Sequence, residues 1–197
     1  MKKKTHPLHK ALGEYILNCK YPECKIILSP ECIPNIQSKN ILNQNIPFFI
    51  GSVNDKSNAT ELCNVDLVIL KNDEIKVIIE IEESDRTPVR TAGKFLISVL
   101  SDYYADKGGK AFNMSNKLLF IQILKSYKNP RSSKETQGKN LKEQIRSFIQ
   151  NCDKQIQYEL CYCQEDDFKN NSYNKCKEIK NIIEKFLSNT DSNKFVV

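Results

Sequence analysis

The chain of 197 residues has no apolar run long enough to cross a bilayer, so no membrane-spanning helix is expected. No apolar segment follows its basic start, Met1 to Pro7, which argues against a secretory signal. A cytoplasmic protein is expected. Histidine is scarce. His6 and His9 flank Pro7 with no nucleophile paired to them, so a surface place is expected for both rather than catalysis. Eight cysteines are present, but none has the paired CxxC spacing of a structural zinc site. Cys19, Cys24 and Cys32 follow irregularly, and Cys161 and Cys163 alternate along a candidate strand. Reduced thiols are expected rather than a disulfide framework. Repeats and dividing linkers are also lacking. One domain over residues 1–197 is expected, with a core at about 5–125 and a C-terminal strand and helices at about 141–188.

What the chain does have is enough apolar sequence, 40%, to build a core beside 27% charged residues. The net charge of +6, from 30 Lys and Arg, favours an anionic partner, although solvated surface lysines account for the same excess. Leu8, Leu12, Tyr15 and Ile16 recur at helical steps, so residues 5–17 should be helical. Lys25 to Leu28 fits a short strand, and Pro47 to Val53 fits another, rich in aromatic and β-branched residues. Two apolar strands follow, Asn64 to Leu70 and Ile75 to Glu83, joined by a polar turn. Thr87 can cap a helix whose first position is Pro88. Its stripe runs Val89, Ala92, Phe95, Leu96, Val99, Leu100 and Tyr103, with Gly108-Gly109 as its end. Lys117 to Leu124 reads as a buried strand, and a basic Ser-, Gly- and Asn-rich loop runs into a helix marked by Leu141, Ile145, Phe148 and Ile149. A strand at 155–163 and a helix at 173–187 follow, and the last ten residues should fray. A hairpin combined with an α-crossover predicts an α/β fold, a mixed central sheet flanked by helices.

The strand pair at 64–83 carries acids where a strand interior should hold none. Buried carboxylates demand a partner or a metal. Glu80 and Glu82 share one strand face, while Ile75, Val77, Ile79 and Ile81 line the other. If Leu70 pairs with Lys76, Asp66 falls opposite Glu80, with Cβ atoms roughly 5 Å apart. A one-residue slip would separate them. Three convergent carboxylates repel, and Mg²⁺ relieves that with oxygen ligands while keeping places for water and substrate phosphate. The alternative is an exposed strand end whose acids pair with Arg86, Arg90 or Lys94.

Asp66 followed on the next strand by Glu80-Ile81-Glu82, within a helix–strand–strand–strand–helix–strand order, resembles the PD-(D/E)xK nuclease superfamily over roughly residues 5–124. The resemblance implies a restriction-endonuclease-like αβββαβ core. It implies Mg²⁺ held by Asp66, Glu80 and the carbonyl of Ile81. Val65 stands where the family often has Pro, and Glu82 where it usually has a water-activating Lys. Some restriction endonucleases of the superfamily carry Glu at that place, as metal ligand or water-positioning base. Others move the Lys to the following helix, which suits Lys94. Glu14 is the candidate accessory acid from the first helix, and Glu83 points to the opposite face as a structural residue. Lys94 or Arg90 would neutralise charge on the phosphate, and Arg86 and the helix start at Pro88 would contact an adjacent one. Lys128, Arg131 and Lys134, in the basic loop, are candidate DNA contacts, or else parts of an ordinary surface loop. The implied activity is Mg²⁺-dependent hydrolysis of double-stranded DNA, as in a type II restriction endonuclease. The enzyme would act as a homodimer or as one subunit of a heterodimer. The competing class is a non-catalytic DNA-binding or protein-interaction domain of the same fold.

Overall fold

The computed structural model describes residues 6–34, 45–54, 56–84, 87–126, 133–169 and 174–189. Helix α1 (Pro7–Asn18) leads into β1 (Cys24–Leu28) and a short 3-10 turn (Pro30–Cys32). Then come β2 (Ile46–Phe49), β3 (Glu61–Val65), β4 (Leu67–Lys71), β5 (Glu74–Glu82) and α2 (Pro88–Leu100). The chain continues with β6 (Tyr103–Ala105), β7 (Ala111–Lys125), α3 (Ser133–Ile149), β8 (Gln155–Cys163), α4 (Asp166–Lys169) and α5 (Asn174–Asn189).

All the strands join one mixed sheet in the order β1-β4-β5-β7-β6-β2-β3, with β8 also on β7. β1, β4 and β5 are antiparallel neighbours, whereas β5, β7 and β8 run parallel. Parallel pairing needs crossovers, and α2 and α3 supply them. β7 is long enough to pair with β6 through Ala111 to Asn113 and with β8 from Lys117 onward.

Strand periodicity sorts most apolar side chains into two large cores, with Phe49, Tyr103 and Ala105 in a small third cluster. Leu67, Ile69, Val77, Ile79, Ile81, Leu119, Ile121 and Ile123 pack against α1 and α5. Val68, Ile78, Leu118 and Phe120 pack against Phe95 and Val99 of α2 and Ile145 and Ile149 of α3. Burying each such aliphatic chain stabilises the fold by about 1.5–3 kcal/mol. Ile75 departs from the expected face. A bulge at Ile69/Leu70 and a register shift at Ile75/Val77 turn it into the α2 core. Glu80 and Glu82 follow Ile78 in two-residue steps, so they lie under α2.

Three expectations need correction. The segment 64–70 is two strands, not one, bent at Asp66: β3 pairs with β2, and β4 with β1 and β5. Ser29 N–H holds the Asp66 carbonyl at that bend, at 2.8 Å. Second, the 47–53 strand stops at Phe49, and Ile50 and Val53 are exposed. Third, α2 starts as expected, with Thr87 Oγ1 accepting from Arg90 N–H at 3.3 Å, but ends at Leu100. Tyr103 belongs to β6, and Gly109, at φ +85°, closes the turn into β7 instead of ending a helix. The helix is also rotated away from its apolar stripe. Thr91, Phe95, Ser98 and Val99 are buried, while Val89 is 84% exposed and Leu100 55%. Lys94 and the backbone of Thr91 have partners on the sheet, and those polar contacts set the rotation.

No helix among the described residues is long and apolar enough to cross a membrane.

Candidate active site

The site forms where β4 runs out beside β5. The expected pairing of Leu70 with Lys76 does not form, because the bulge at Ile69/Leu70 sets Leu70 against Ile75; beyond the bulge Leu67 pairs with Ile79, and one further step in that register sets Asp66 level with Glu80. The bend at Asp66 leaves Ile81 without a β4 neighbour, and Asp66 Oδ2 accepts its N–H at 2.8 Å instead. In an antiparallel ladder one residue's N–H and C=O serve the same neighbour. The Ile81 carbonyl therefore faces the Asp66 side of the strand as well.

Glu80 and Glu82 are 2% and 4% exposed. Lys94 reaches down from α2 between them. Its Nζ lies 2.7 Å from Glu80 Oε2 and 2.7 Å from Glu82 Oε1. Arg90, one helical turn earlier and half-exposed, places Nε 3.3 Å from Glu82 Oε1. Burial, then the Asp66 charge, push the Glu80 carboxyl well above its ordinary value of 4.5, against the pull of Lys94. For Lys94 the largest influence, burial, opposes its charge. Glu80, Asp66 and the hydrogen bonds to Glu80 and Glu82 outweigh it and hold the ammonium above its usual range. Burial and the nearby Asp66 raise the Cys32 thiol well above its ordinary value, which keeps it neutral.

The other side of Asp66 faces α1. His9 is buried, with Nε2 3.7 Å from Asp66 Oδ2 and Nδ1 2.8 Å from Glu83 Oε1. That Glu83 oxygen also accepts from the backbone N–H groups of Leu8, at 3.0 Å, and His9, at 3.2 Å. His6, at the N-cap position, offers no side-chain cap, so an acid from the sheet does that work.

The structure thus brings together Asp66, Glu80, Ile81, Glu82 and Lys94, with Arg90 at the rim. Ion pairing with Lys94 and Arg90 is present, as the alternative reading had it, but the acids are buried rather than at an exposed strand end. Glu14 does not join. It is exposed, five residues beyond His9 on α1. The surface place expected for His9 is overturned by its burial against Glu83 and Asp66. A signal for it existed, because His9, Leu12, Gly13 and Ile16 keep helical spacing and all lie on the buried side of α1. Lys134 is exposed in the first turn of α3, while Arg86, Lys128 and Arg131 lie outside the described residues.

Among the described residues Asp66, Glu80 and Glu82 do not converge as a three-acid metal group, and the Lys94 ammonium stands between Glu80 and Glu82; what Glu80 has beside it is oxygen, from Asp66 and the Ile81 carbonyl. That set suits a hard divalent cation such as Mg²⁺. Its mutual repulsion is partly met by Lys94.

Compared with protein-family models, curated proteins and solved structures, the chain matches none.

Proposed function

We propose that this chain is a Mg²⁺-dependent endodeoxyribonuclease of the PD-(D/E)xK kind, acting on double-stranded DNA in the manner of a type II restriction endonuclease. The observation that carries this reading is the Lys94 ammonium 2.7 Å from both Glu80 and Glu82, beside Asp66 at a strand end. Glu82 stands where the resembled motif usually has lysine, and Lys94 of the following helix brings an ammonium against Glu82 and Glu80, which supports a relocated lysine. Element order supports the reading too. Helix α1, the antiparallel strands β1, β4 and β5, the crossover α2 and the parallel strand β7 follow the αβββαβ plan. The β2–β3 ribbon and β6, between α2 and β7, lie outside that plan.

Asp66, Glu80 and the Ile81 carbonyl would hold Mg²⁺. The ion, when bound, polarises the scissile phosphate and lowers the pKa of a water. Glu82 accepts a hydrogen bond from the attacking water and orients it. Lys94 stays charged and neutralises the anion that builds on the phosphate. Arg90, at the rim, meets an adjacent phosphate. One such site cuts one strand, so double-strand cleavage calls for a homodimer or a heterodimer.

The test is incubation of long mixed-sequence DNA with the protein and Mg²⁺. Discrete fragments from the wild type, with none from Asp66→Ala or Glu80→Ala, support a sequence-specific nuclease. A smear would mean a general nuclease. Full activity in either variant, or an inert wild type, would overturn the reading in favour of a non-catalytic domain.

A further inference from the structure

Among the described residues one group of His and acidic side chains converges without using the Glu80 cluster. One ligand atom each from His6, His9 and Glu83 lie within 4.8 Å of one another. The chain's only two histidines thus meet at the first turn of α1, three residues apart, with their rings 5.0 Å apart and edge-on. Among the described residues the His6 ring has no hydrogen-bond partner and does not cap its helix; its edge-on contact with His9 is what orients it.

We propose that His6, His9 and Glu83 form a binding site for a borderline divalent cation of the Zn²⁺ type, distinct from the oxygen cluster around Glu80. Two imidazoles and one carboxylate are the donor set such ions prefer, and they leave a fourth position for water. A hard ion such as Mg²⁺ has no preference for imidazole. Tetrahedral Zn²⁺, with ligands at about 2 Å, draws donor atoms to about 3.3 Å apart. The widest pair must therefore close by up to about 1.5 Å, and the His6 ring, with no hydrogen bond among the described residues to hold it, would provide most of that movement. Glu83 Oε1 is occupied by the α1 backbone and His9, whereas Oε2 meets, among the described residues, the partly exposed Lys125, at 3.7 Å.

The second nitrogen of His9 ties this site to its neighbour. A neutral imidazole carries one N–H. With Nδ1 on the ion, its 2.8 Å hydrogen bond to Glu83 Oε1 breaks and the ring proton resides on Nε2, 3.7 Å from Asp66 Oδ2, which must move closer before it accepts that N–H. A carboxylate that holds the second N–H of a metal-bound imidazole strengthens such a ligand. An ion here would fasten the start of α1 to the end of β5 and fix the orientation of Asp66.

The experiment is a Zn²⁺ titration of the metal-free full chain by calorimetry, with X-ray absorption on the loaded protein. The expected result is one ion per chain in a shell of nitrogen and oxygen only. His6→Ala, whose side chain the fold does not use, should weaken binding by about tenfold or more, and Glu80→Gln should leave it unchanged. Sulfur in the shell would mean that cysteines took the ion. That result, full binding by His6→Ala, loss in Glu80→Gln, or no stoichiometric binding would each overturn the proposal. DNA cleavage does not enter the readout, so failure here is separable from failure of the nuclease reading.

Discussion

Replacing Lys94 with methionine keeps most of the side-chain volume and removes the one cation that, among the described residues, touches both Glu80 and Glu82. Breaking a buried ion pair from one side costs about 3–5 kcal/mol, because the other charge is left in a poor solvent. Lys94 is 27% exposed at its side chain and Arg90 still reaches Glu82, so the expected loss near neutral pH is smaller, about 2–3 kcal/mol. Its pH dependence is specific. Glu80 in the folded chain already binds its proton more tightly than at its ordinary 4.5. The stability this gives is fully present below the unfolded-state value and is lost as pH rises through the folded-state value. Without Lys94 the folded-state value moves higher still, and the variant falls further behind the wild type as pH increases. Urea unfolding followed by far-ultraviolet circular dichroism, at about pH 5 and about pH 8, reads both quantities. Adding Glu80→Gln should recover most of the loss at the higher pH. A loss below about 0.5 kcal/mol, or one that persists in the Glu80→Gln background, would refute the reasoning.

Other consequences are independent of that pair. A Cβ on Gly13 would meet the Cys32 backbone oxygen at 2.0 Å, whereas one on Gly93, inside α2, meets nothing within 4 Å. Gly13→Ala should lose about 2–4 kcal/mol and Gly93→Ala gain about 0.5–1 in thermal unfolding; similar effects from both would contradict the helix packing. Gln122 is fully buried, accepts from Tyr158 Oη at 2.6 Å and donates to the Thr91 carbonyl at 2.9 Å. Gln122→Ala should cost about 2–3 kcal/mol in urea unfolding, and a change below about 1 kcal/mol would show that the link is weak. Arg90→Ala should leave stability within about 0.5 kcal/mol. If Arg90 meets a phosphate, the slope of log affinity for DNA against log salt should fall by about 0.9; an unchanged slope removes it from the interface.

Strands and helices with strong periodicity were legible in the sequence. The 155–163 strand matches β8, and the apolar alternation at 75–82 marks a strand whose faces serve separate cores. The pairing of Leu67 to Ile69 with Val77 to Ile79 follows the register that places Asp66 opposite Glu80. What local pattern could not show was the bend at Asp66. It arises because neighbouring segments pair with strands distant in sequence, and Ser29 holds the turn. The rotation of α2 was hidden for a similar reason. Its apolar stripe predicts one buried side, but the Lys94 pairs and the Gln122 contact to Thr91 decide the orientation. The same rotation leaves Val89, Leu96 and Leu100 exposed. Glu83 could be placed on the α1 side by strand alternation, yet its role as cap for α1 depends on a contact spanning 75 positions. The pairing of His9 with Asp66 is likewise tertiary, although its helical phase was visible.

If the oxygens of Asp66, Glu80 and Ile81 form a cation site beside Lys94, calorimetric titration of the full chain with Mg²⁺ should reveal it. Saturable binding is expected of the wild type and of His6→Ala, and none of Glu80→Gln or Asp66→Ala folded under the same conditions. Equal Mg²⁺ binding by the wild type and Glu80→Gln, or no binding by the wild type with or without DNA, would contradict it.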